Sequence, residues 1–222
     1  MTGSRLLKAL HVVGYLTTVV VIAEIVELGY LSWSSWHRSE AVSAIFREHT
    51  RTHDRPLVVG DMGAGDAFGP VRPPPGVSGD VLGFVSMPSF SLWHAASLRL
   101  PPGSDVAQGE IVFVRYNGQT DQPTFSAVQA FTLPKAAYLA AAQQIDRLTD
   151  GWPGNGDNGC FDGVPVAFER IRTAHVTSGV GNASCDPHYA AVARVVEPLL
   201  TRYAPKPPPE DKKAATSDSA PK

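Results

Sequence analysis

The sequence predicts an α+β fold class: an N-terminal transmembrane helix followed by a small antiparallel sheet with two packed helices. Three observations predict it. An apolar run opens the chain, from Ala9 to Leu31. From Glu110 onward the pattern reads strand, strand, helix, strand, strand, helix. The last helix of that series carries Tyr189, Val192, Val196, Leu199 and Tyr203 at steps of three and four, one apolar stripe that calls for burial. Such an order favours an antiparallel sheet with helices on one face.

The opening run covers about 23 residues, or about 34 Å as a helix, enough to cross a hydrocarbon core of about 30 Å. Arg5 and Lys8 precede it, which keeps the N-terminus cytoplasmic and sends the rest across. Trp33 and Trp36 fall at the far interface, a layer that tryptophan favours. Residues 1–38 therefore read as a signal-anchor in membrane lipid, which places the protein in the cell inner membrane with a periplasmic, extracytoplasmic domain. The rival is a signal peptide cleaved after Ala23, at Val21-Ile22-Ala23. The apolar pattern continues past Ala23 to Tyr30, Trp33 and Trp36, which favours the anchor.

Glu24 and Glu27 share one face of that helix. Near the outer third of the span they either reach the headgroup layer or meet a partner helix, and an ion-coupling role is the sharper alternative. A single-pass helix with an acidic residue and a domain outside resembles the layout of the stator-type energisers of bacterial envelopes; the resemblance is one of layout, without a shared motif. His11, Tyr15 and Thr18 make a second polar stripe, whose groups bond back to their own helix or across to another.

The remaining elements follow in order. Ser39–His49 reads as a short helix or an extension of the anchor, with Val42, Ile45 and Phe46 on one face. The glycines and prolines from Gly60 to Gly79 mark a linker or a long functional loop, so 39–79 is assigned as juxtamembrane helix and Gly/Pro-rich linker. Within it, Gly63-Ala64-Gly65 lacks the lysine, the third glycine and the following helix of a nucleotide loop. The domain proper is expected over 80–204. Its strands are Val81–Met87, Leu92–Leu100, Glu110–Tyr116, Thr124–Thr132, Val164–Ile171 and His175–Ser178. Pro134 opens a helix that Gly151 stops. Asp186 caps the last helix with Pro187 at its first position, and Pro198 should kink it or end its regular part. Residues 205–222 have almost nothing apolar to bury, and their composition predicts disorder.

A formal net charge of −2 and the lack of a basic stripe argue against nucleic acid as a partner. The two cysteines, Cys160 and Cys185, read as a disulfide in an oxidising compartment. Closing a loop of about 26 residues would contribute about 3–4 kcal/mol in the chain-entropy account. No metal, cofactor or catalytic residue is assigned. His49 and His53 stand at metal-ligand spacing, but Thr50 replaces the glutamate of the zinc-protease motif and Arg47, Arg51 and Arg55 repel a cation. Asp150, Asn155, Asp157, Asn158 and Asp162 crowd a glycine-rich loop without calcium-hand spacing. Cys185, Asp186 and His188 are each explained by a disulfide, a cap and a first-turn residue. Asn182-Ala183-Ser184 is a glycosylation sequon, relevant in a eukaryotic secretory pathway.

The leading functional expectation is a membrane-anchored, non-enzymatic binding or assembly protein with a protein partner. A membrane-complex or ion-coupled subunit working through Glu24 and Glu27 is the second. The third is an enzyme built on a cluster such as Asp162, Glu169 or His188, which would reveal itself as a deep pocket joining two titratable groups.

Overall fold

The computed structural model describes residues 3–58, 60–74, 79–89, 91–117, 122–155, 162–173 and 175–208. The chain divides near Phe46 into two compact units. The first is dominated by α1, a single unbroken helix of 48 residues, Gly3–Thr50, so the helix expected at Ser39–His49 is its continuation. Between Thr17 and Thr50 lies a stretch long and apolar enough to cross a membrane, with none of its window buried. Val20, Ile22, Ile25, Val26, Leu28 and Leu31 are all exposed. Each such side chain left in water forgoes about 1.5–3 kcal/mol of burial. Thr18 Oγ1 donates to the Gly14 carbonyl at 2.9 Å, which returns that part of the polar stripe to its own helix.

The second unit is built on one antiparallel sheet of seven strands. They are β1 (Asp80–Ser86), β2 (Trp93–Leu100), β3 (Val106–Asn117), β4 (Gln122–Phe125), β5 (Gln129–Pro134), β6 (Pro165–Arg172) and β7 (His175–Asn182). Their order is β4-β3-β2-β1-β6-β7, with β5 also on β3. β4 pairs with the end of β3 and β5 with its start, so the single partner strand expected at Thr124–Thr132 is two pieces. Ser126 stands at the break. Its backbone N–H donates to the Phe113 carbonyl at 2.9 Å and its hydroxyl accepts from the Phe113 N–H at 3.0 Å, so a side chain takes over one rung of the ladder.

Alternate residues of each strand point to opposite faces. Leu82, Phe84, Ala96, Leu98, Ile111, Phe113 and Phe168 point to the face covered by α3 (Lys135–Thr149) and α4 (Pro187–Tyr203). Tyr138 and Ile145 of α3, and Tyr189, Val192 and Val196 of α4, complete that core. Asp186 caps α4, its side chain accepting from the backbone N–H groups of His188 at 2.8 Å and Tyr189 at 3.4 Å. The helix runs through Pro198 to Tyr203 rather than ending there. Leu200, beyond the proline, is buried in the same core and holds the last turns on the sheet.

The opposite face is also covered, where the sequence predicts a linker. Leu57, α2 (Ala64–Phe68) and a 3-10 turn, Gly69–Val71, pack on Val85, Ala95, Val112, Val114 and Ala167. A helix does therefore start behind Gly63-Ala64-Gly65. Its first residues, Ala64 and Gly65, are buried, so that end faces protein. Phe68 fits because β1 carries Gly83 beneath it; a Cβ there would collide with the ring. Glu169 of β6 fixes the segment from below. It is 1% exposed, accepts from the Leu57 backbone N–H at 2.8 Å and pairs with Arg72 at 3.0 Å.

Candidate functional site

The site starts from three side chains that the sheet and α4 bring to one end of the α3/α4 face. Ser86 of β1 and His94 of β2 are register partners and share that face. Glu197 descends from α4, and its Oε2 lies 3.3 Å from His94 Nε2. At that distance the two groups form an ion-pair contact when His94 is protonated. Burial raises the pKa of the Glu197 carboxyl, but His94, with a smaller contribution from Ser86, outweighs it and holds the group below its ordinary value.

Beside this pair opens a cavity of about 300 Å³, at the lower end of ligand-pocket sizes. Ile111, Phe113 and Leu200 line it as buried apolar residues, with Leu92 alongside. Glu197, Leu200, Thr201 and Ala204 all line it, because residues three, four and seven apart share a helix face. Lys206 stands at its margin beyond the end of α4, exposed. An ionised carboxylate and an imidazole on an apolar wall can bind a polar head group or move a proton.

A second depression, about 290 Å³, lies on the other face between Pro73, Pro74, Ser97, Arg99, Gln108 and Glu110. Arg99 and Gln108 hydrogen-bond to each other there.

Two of the candidates read from the sequence for an enzyme, Glu169 and His188, lie on opposite sides of the sheet. Glu169 points to the α2 face, where burial raises its pKa against the opposing Leu57 N–H and Arg72. His188 lies on the α4 face and stacks on Trp152, with ring centroids 3.7 Å apart; burial lowers its pKa. Asp162 is an exposed loop residue. His49 is exposed in the last turn of α1, while His53 pairs by its backbone with Ser178 at the β7 edge. Burial, Arg55 and Arg51 lower the His53 pKa, consistent with the arginines' repulsion of a cation. Asp150 pairs with Arg172 at 2.8 Å. Asp157, Asn158 and Cys160 lie outside the described residues. Among the described residues no three His, Cys, Asp or Glu side chains converge on a metal position. Glu24 and Glu27 are exposed on α1, as are Trp33 and Trp36.

Sequence reasoning passed over His94 and Glu197 because they are distant in sequence and belong to no motif. One signal was present: Glu197 interrupts the apolar surroundings of Val195, Val196, Leu199 and Leu200. Compared with family models, with curated proteins and with solved structures, the chain matches none, so the site rests on its own geometry.

Proposed function

We propose that this is a single-pass membrane-anchored protein with its N-terminus in the cytoplasm, whose extracytoplasmic α+β domain is a binding module. The observation that carries the anchor is the uncovered apolar surface of α1. Arg5 and Lys8 before it support the orientation. A Cys160–Cys185 disulfide belongs to this reading; no described cysteine is a free thiol. The binding site is the pocket beside His94 and Glu197, because it combines apolar walls with a few polar groups at one end.

Membrane fractionation tests the anchor. After an alkaline carbonate wash the full chain stays in the pellet, and protease added outside the cytoplasmic compartment removes a C-terminal tag. Release into the supernatant, or a tag cut only from the cytoplasmic side, overturns the reading. An N-terminus at Glu24 in the mature protein would replace the anchor with a cleaved signal.

A catalytic reading draws on the same pair, since a carboxylate and an imidazole can share a proton. It requires that a compound bound in the pocket is recovered changed. Recovery unchanged, judged by mass spectrometry, leaves the binding module.

A further inference from the structure

The geometry points to a small amphipathic amine, an apolar body ending in a protonated amino group, as the ligand class of the His94–Glu197 pocket. This rests on the pocket being the binding site. Volume sets the size: about 300 Å³ is at the lower end of ligand-pocket volumes. A phenyl ring with a short chain fits that space. Ile111, Phe113, Leu92 and Leu200 offer it apolar walls.

Charge sets the head group. An ionised carboxylate is acceptor-only, with about four lone-pair positions. Ser86 and His94 engage Glu197 from the sheet side. Its side chain is still 37% exposed and lines the cavity, so acceptor capacity remains toward the ligand. Its lowered pKa keeps the group ionised at neutral pH. A carboxylate among apolar atoms is best completed by a cation that also donates hydrogen bonds. The helix adds to this. Thr201 and Ala204 bring the C-terminal end of α4 to the same cavity, and a helix C-terminus favours positive charge.

Among the described residues, the titratable groups facing the cavity are His94, Glu197 and Lys206. His94 opposes a cation when it is protonated, and so does Lys206. Lys206 is exposed beyond the helix, however, where water and salt screen it, while Glu197 acts from partly desolvated surroundings. An anionic amphipath seated on Lys206 is therefore the direct rival.

Three probes of one shape separate these cases: phenethylamine, phenethyl alcohol and hydrocinnamate. Each is titrated into the full chain in nanodiscs, and binding is read from the chemical shifts of the His94 ring. Phenethylamine is expected to saturate the site at least about ten-fold more tightly than the other two. Glu197→Gln should remove that preference and leave phenethyl alcohol unchanged. Lys206→Ala should leave amine binding intact or improve it. Ala204→Trp should block all three by filling the cavity, which keeps the test valid should Glu197→Gln perturb the fold. Tightest binding by hydrocinnamate, or equal binding by all three, overturns the ligand class while the pocket stands as a binding site. No saturable shift from any probe overturns the pocket reading itself.

Discussion

The two faces of the sheet are covered by different means. On one, α3 and α4 lay long apolar stripes across Leu82, Phe84, Leu98 and Phe168. On the other, a five-residue helix and one 3-10 turn cover Val85, Ala95, Val112 and Val114. The first cover is held by repetition, many apolar contacts along two helices. The second is held by a few fixed points: Phe68 over Gly83, and Glu169 gripping Leu57 and Arg72. A cover of few points should fail when any one is removed, whereas a repeated one should degrade gradually.

The largest expected effect is at Phe68, which is fully buried. Phe68→Ala should destabilise the domain by about 3–5 kcal/mol. Val192→Ala, on the repeated face, removes fewer buried atoms and should cost about 1–3 kcal/mol. Denaturant titration of both variants measures the gap. Equal losses would mean that the α2 face relaxes as freely as the helical one.

The same contrast explains what the sequence made legible. α3 and α4 are long enough for their three-and-four spacing to stand out, and the Asp186-Pro187 pair marks where α4 begins. The strands were legible in part: β1 and β2 fall within a residue of their expected ends, whereas β3 starts at Val106, before the expected Glu110, and β7 runs on past Ser178 to Asn182. α2 is too short to display a period, and it lies among the glycines and prolines that signal loops. What identifies it is tertiary: Gly83 leaves room for a ring from another element, and Glu169 awaits a backbone N–H far away in sequence. The pocket pair was hidden for the same reason, since His94 and Glu197 meet only once α4 lies on β2.

Next in size is Glu169→Ala. It removes one partner of a buried set and leaves the Leu57 N–H unpaired and Arg72 without its carboxylate. A loss of about 2–3 kcal/mol follows, because a stranded buried donor costs its full desolvation. Limited proteolysis within residues 57–71 should accelerate with it. Unchanged cleavage there would show that Glu169 does not hold the segment.

Glycine gives a direct test of whether the two faces share one device. Gly83 lies under Phe68 on the α2 face, and Gly181 of β7 lies under Tyr189 on the α4 face; a Cβ at either would collide with the ring above. Gly83→Ala and Gly181→Ala should each cost about 1–3 kcal/mol by overpacking. Phe68→Leu, with a smaller side chain, should lessen the penalty of Gly83→Ala and leave that of Gly181→Ala unchanged. A double-mutant cycle measures the difference, and coupling at neither site would show that the rings can shift aside.

The smallest effect is a pH dependence specific to the α2 face. Burial raises the Glu169 pKa above its ordinary 4.5, with the Leu57 N–H and Arg72 only partly offsetting it. In the window between the unfolded and the raised native value, the native state binds more protons than the unfolded one. Stability contributed by this group is therefore fully present below that window and falls as pH rises through it. Glu169→Gln keeps an acceptor for Leu57 while removing the charge. The native protein should thus lose ground to Glu169→Gln as the pH is raised from acid to neutral, by a small amount read from denaturant midpoints. If the native protein instead gains on the variant over that range, the pairing with Arg72 outweighs burial, and the α2 face is held by charge rather than in spite of it.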